Sequence, residues 1–191
     1  MSNTDGITDE VRKREEEYFR RKDRELIERM RQQTEAASAR QAIESATGIH
    51  DPESLRDLEA LGFTPRTITL LPLVPVLQVA WAEGSVTSAE RELILNLARA
   101  RGIEAGSDAD AQLQEWLDRR PPNDVFAKAG RLIGAMLDHP EGAEMHVSAA
   151  DLLKYCEQIA HASGGVFGFG SVSAEEKVAL QEVASQLKRV G

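Results

Sequence analysis

Three glutamates are the first residues in this sequence with the type and spacing to do chemistry. Glu83, Glu90 and Glu176 stand beside two similar glycine-hydroxyl turns. If those turns face one another, the three carboxylates form an acidic patch. Hard cations seek several oxygen ligands, so the cofactor for such a patch is a divalent metal ion. Glu90 and Glu176 also have a simpler role, since each follows a hydroxyl residue by three positions and can complete a helix cap. A second cluster, His139, Glu141, Glu144 and His146, carries zinc-ligand atoms. Pro140 and Gly142 make that stretch a solvated loop instead of a rigid ligand pair. Gly164, Gly165, Gly168 and Gly170 resemble a phosphate cradle in composition only. They follow a helix and lack the Lys-Ser/Thr of a P-loop. The better reading is a turn whose Phe167 and Phe169 serve as core plugs or partner anchors. The single cysteine, Cys156, excludes an internal disulfide and a cysteine zinc cluster, and among helix formers it reads as a buried structural thiol. His161 aligns with Trp81 and reads as a packing histidine. No Ser/His/Asp or Cys/His set has a recognisable context, so no catalytic residue is assigned and the chain reads as a non-enzyme.

Positioning these residues requires helices. Between Asp9 and Arg31 there are eight acidic and nine basic residues, and no Gly or Pro occurs from Ile7 to Thr47. Acids precede bases by four at Glu10/Arg14, Glu16/Arg20, Glu17/Arg21 and Glu25/Arg29, the favourable order for helical ion pairs. A helix of at least about eight turns is expected. Its few apolar residues, among them Val11, Tyr18, Phe19, Leu26, Ile27 and Met30, fall on one side. A stripe this thin suits a groove, a partner helix or a homodimer better than a globular core. Glu16, Glu17, Tyr18, Phe19, Arg20, Leu26 and Met30 are therefore the expected partner-binding residues.

Breakers at Gly48, Pro52, Gly62 and Pro65 divide the chain into an extended helix (1–48), a connector with one short helix (49–70) and a helical domain (71–191). In that domain Pro75 marks the start of a helix carrying Val76, Leu77, Val79 and Trp81, which Gly84 ends. Thr87 with Glu90 opens the next, with Leu93, Ile94, Leu97 and Ala98 inward, and Gly102 stops it. Asp108, Asn123 and Ser148 are candidate caps for three more. Ser173 with Glu176 opens the last, with Val178, Leu180, Val183, Ala184 and Leu187 inward. No segment alternates with period two. The fold class is all-α.

The two turns share a frame. Gly84, Val86, Thr87 and Glu90 match Gly170, Val172, Ser173 and Glu176. In each, glycine ends one helix, valine plugs the corner and the hydroxyl caps the next helix, so a pseudo-repeated pair of helical hairpins is expected. The segment AWAEGSVTSAERELI, with ASGGVFGFGSVSAEEK in the second half, resembles the hairpin signature of TerB-like proteins, the small α-helical domains of tellurite resistance and stress response. The resemblance covers about residues 65–190. It implies a non-enzymatic helical bundle acting in metal or metalloid stress, in complexes at the cytoplasmic side of the membrane, with acidic residues at the turns binding divalent metal. This chain has Glu83 where the family has Asp, and Phe169 at the matching place in the second turn.

Residues Lys13 to Gln33, KREEEYFRRKDRELIERMRQQ, are similar to the minimal inhibitory helix of the mitochondrial ATP synthase inhibitor family. That likeness implies an ATPase regulator and puts Glu15 to Glu17, Tyr18, Phe19 and Arg20 at the contact surface. A scaffold with no ligand is the third reading. The net charge of −9 argues against nucleic acid, which needs a basic face to neutralise phosphate. The longest apolar run, Thr69 to Ala82, holds Pro72, Pro75 and Gln78 and is too short to span a bilayer. Met1 to Glu10 are polar and acidic and lack the apolar core of a signal peptide, so the expected location is the cytoplasm.

Overall fold

The absence of helix breakers shows directly in the first element. In the computed structural model, which describes residues 4–137, 148–162 and 172–188, α1 runs unbroken from Thr4 to Thr47. Its stop is local chemistry. Gly48 takes a left-handed φ of 69° and its N–H donates to Glu44 O at 2.8 Å. The buried Thr47 hydroxyl donates to Ile43 O and accepts from Ile49 N–H. The chain divides into two units, Met1–Gln41 and Ala42–Gly191. The first is a single charged helix. The second contains every other element.

In the second unit α2 (Pro52–Ala60) is capped by Asp51, whose side chain accepts from Ser54 N–H at 2.8 Å. A 3-10 turn (Ile68–Leu73) leads into α3 (Val74–Ala80). Then follow α4 (Ser88–Ala100), α5 (Asp108–Asp118), α6 (Asn123–Leu137), α7 (Ala149–Ala162) and α8 (Ala174–Lys188). Among the described residues there is no strand.

The short α3 is the centre. Val74, Val76, Leu77 and Val79 have no exposure, and α4, α6, α7 and α8 all pack on this helix. A helix with Gln78 as its one polar residue has to be buried on nearly every side, and the run around Pro72 and Pro75 is apolar for that reason. The stretch 49–70 also builds core, since Ile49, Leu55, Leu58, Phe63, Ile68 and Leu70 are all buried. Phe63 meets Trp116 edge-on at 5.9 Å, and Trp81 Nε1 donates to Trp116 O at 2.9 Å, fastening the end of α3 to α5.

Several local expectations are corrected. Ser107, one residue before Asp108, caps α5, its hydroxyl accepting from Asp110 N–H at 3.1 Å. Asn123 is inside the first turn of α6, and its Oδ1 accepts from Arg120. Val178 and Leu93, expected inward, are 64% and 40% exposed. For Val178 the cause is the position of the buried Glu176. In α8 the face set by Glu176 continues through Ala179, Val183 and Leu187, and Val178 lies about 200° away from Glu176 around the helix. In α4 the buried face runs through Glu90, Ile94 and Ala98 and leaves Leu93 at its margin. His161 is exposed while Trp81 is half-buried, because α7 turns Leu152, Cys156, Ile159 and Ala160 inward instead.

Candidate functional site

The two hairpin corners are built from the same parts. Thr87 Oγ1 accepts from Glu90 N–H, and Glu90 Oε2 accepts from Thr87 N–H at 2.7 Å, a reciprocal box that satisfies two otherwise orphaned donors. In the second half Ser173 Oγ accepts from Glu176 N–H at 3.1 Å and Glu176 Oε2 accepts from Ser173 N–H at 2.7 Å. Val86 and Val172 are half-buried against the core. Gly84 takes a φ of 86°, the left-handed conformation that favours glycine. Its counterpart Gly170 lies outside the described residues, as do Phe167, Phe169, the other glycines of that turn, His139, Glu141, Glu144 and His146.

The corners also bring their acids together electrically. Glu90 and Glu176 are both buried, and Glu83 is exposed. Burial pushes the Glu90 carboxyl above its ordinary value. Hydrogen bonds from Thr87 oppose that rise, and the negative charges of Glu176 and Glu83 add to it. The acids expected to form one patch thus act on one another. Whether they suit a metal is a question of free oxygen donors. Glu90 Oε2 and Glu176 Oε2 are committed to the caps, and among the described residues no group of three or more His, Cys, Asp or Glu is placed to hold a metal ion. The donor set fits helix capping and does not fit a metal centre.

The large apolar residues of α1 expected to meet a partner are exposed. Tyr18 is 49% exposed, Phe19 61%, Leu26 51%, Ile27 63% and Met30 58%. Tyr18 and Phe19 pair edge-on at 5.8 Å, and Arg21 and Lys22 lie over the Tyr18 ring at 5.8 and 5.9 Å. Around the stripe Glu16 lies 3.8 Å from Arg20, as the spacing anticipates. Glu25 accepts from Lys22 at 3.1 Å and lies 3.9 Å from Arg21. The Lys22 hydrogen bond and charge hold the Glu25 carboxyl below its usual value.

Two further features bear on chemistry. Cys156 is fully buried, and desolvation pushes its thiol up to about 12, which leaves it unreactive. A groove of about 410 Å³ runs between α3 and α8, lined by Gln78, Trp81, Ala82, Arg120, Val178 and Glu182 among others. Gln78 Nε2 donates to Glu182 Oε2 at 3.2 Å within it. Sequence reasoning misses this groove because it assigns Val178 to the core. The signal is the three- and four-residue spacing from Glu176, which excludes position 178.

Compared with protein-family models, curated proteins and solved structures, the chain finds no match in any of the three. The class of protein is therefore defined by the fold itself. It is an all-α bundle with paired capping-box corners and a 44-residue charged helix. No helix among the described residues is long and apolar enough to cross a membrane.

Proposed function

We propose that this chain is a non-enzymatic, cytoplasmic interaction protein of the TerB-like type, serving metal, metalloid or general stress response and docking a protein partner through α1. The observation that carries this reading is the row of large apolar side chains left exposed on a segment of α1 whose other positions from Arg12 to Glu35 are all polar. Surface helices seldom keep two aromatics, a leucine, an isoleucine and a methionine in water within three to four turns unless something covers them. The paired corners, matching the TerB-like hairpin signature, support the stress assignment. The test is affinity capture from native lysate with the intact chain and with Phe19→Ser/Leu26→Ser, which leaves the bundle sequence untouched. A partner retained by the first and lost by the second is expected. Equal capture by both would remove the reading.

A second reading is favoured by the exposed Tyr18–Phe19 pair within its charged surround, the feature shared with the ATP synthase inhibitor helix. In that case a peptide of residues 9–40 lowers ATP hydrolysis by the purified synthase and Phe19→Ala weakens the effect. Unchanged hydrolysis at micromolar peptide ends it.

A further inference from the structure

The charges of α1 are arranged as a palindrome of opposite signs. Counting outward from the midpoint between Tyr18 and Phe19, each residue i has a counterpart at 37 − i, and the two tend to carry opposite charges. Glu17 corresponds to Arg20, Glu16 to Arg21, Glu15 to Lys22 and Arg12 to Glu25. Such an order has no bearing on the isolated helix, whose ion pairs depend on spacings of three and four. It does matter when a second copy lies alongside in the opposite direction, because residues i and 37 − i then share a level.

The apolar stripe lies on the face that this pairing uses. At about 100° per residue, Tyr18 and Phe19 lie to either side of one direction, with Glu15 and Lys22 close to its centre. Leu26 and Met30 lie on the same face. We infer that α1 pairs with α1 of a second copy of this chain in an antiparallel, twofold-symmetric contact centred on Tyr18 and Phe19. This rests on the proposed docking role of α1 and names its occupant. Tyr18 and Phe19 of both copies form the apolar centre. Glu15 meets Lys22 across the middle, and Arg12 approaches Asp23 at the edge. The register also creates two like-charged levels, Lys13 with Arg24 and Asp9 with Glu28, and those sequence positions fall on the opposite side of the helix, away from the contact. A parallel pair in register would instead set Glu15, Lys22 and every other charge against itself, which is repulsive. An isologous contact of this kind closes on itself and does not propagate.

The test uses the full chain. Sedimentation across micromolar concentrations is expected to show a reversible monomer–dimer equilibrium. Glu15→Lys weakens association at least about tenfold by setting two cations together, and adding Lys22→Glu to it restores the dimer. Direction is read by crosslinking, with the buried Cys156 silent. Phe19→Cys links to itself, because its two copies stand about 1.5 Å apart along the axis. Leu26→Cys does not, because its copies stand about 22 Å apart. Self-linking of Leu26→Cys, or failure of the double charge swap to recover the dimer, overturns the arrangement. A chain that stays monomeric while Phe19→Ser/Leu26→Ser still loses a partner from lysate overturns the second copy as occupant but leaves the docking role standing. Loss of neither self-association nor capture in that variant removes both.

Discussion

Replacing Leu77 with alanine is expected to lower the unfolding free energy of the helical unit by roughly 2–5 kcal/mol, a large share of what a domain of this size has. Leu77 has no exposure and sits on α3, the helix that α4, α6, α7 and α8 all touch. A cavity there borders most of the bundle at once. Thermal unfolding followed by circular dichroism at 222 nm measures the loss. A midpoint within a degree or so of the parent would mean that α3 is not the keystone of the bundle. The size of the effect follows from geometry more than from residue type, since a leucine at a shallower position such as Leu93, which is 40% exposed, is expected to cost far less.

The second large effect concerns Glu90 and has opposite signs for two substitutions. Glu90→Ala removes the acceptor for Thr87 N–H and leaves a hole beside the α4 cap, at a cost of about 1–2 kcal/mol. Glu90→Gln keeps an oxygen acceptor for that N–H and discards the charge that Glu176 and Glu83 oppose. The folded-state value for Glu90 lies above its unfolded one, so the folded chain holds this proton more tightly. Stability is then largest at acid pH and declines as pH rises from the ordinary carboxylate range through the raised value. Glu90→Gln removes that decline. Parent and variant should unfold together at low pH and separate as pH rises, with the variant the more stable at neutrality. Denaturant melts at several pH values check this, and a variant less stable than the parent at every pH would contradict it. Asp110 behaves the other way. The Gly106 N–H and the Arg99 guanidinium hold its carboxyl below the usual value, so its contribution is present near neutrality and lost as pH falls through that lowered value.

The corners and the long helix are legible in the sequence because their signals are local. Thr87–Glu90 and Ser173–Glu176 declare themselves by spacing, and the glycines at 48, 84 and 102 all adopt the left-handed conformation that a helix stop requires. What escapes is fixed by tertiary contacts. The burial of 49–70 depends on α6 and the other packed elements, and short apolar segments between Gly and Pro carry no periodicity that reveals it. The inward face of α8 is misread when Val178 is included, because a buried glutamate, atypical for a core, sets the true phase. The candidate acids are identifiable one by one. Their mutual repulsion is not, since it depends on how α3 and α4 pack against α7 and α8.

Where α1 ends has a consequence for how its whole length is made. Ile43 and Thr47 belong to the second unit and are buried there, so the last turn of this helix is held in place by tertiary packing. Starting a helix is the unfavourable step, and adding residues to an existing turn is nearly free. The packed turn at Ile43 thus acts as a ready nucleus from which the helix is extended residue by residue toward its N-terminus. Loss of the anchored turn at Ile43 would leave the charged segment to bear the cost of helix initiation by itself, although its own residues are unchanged.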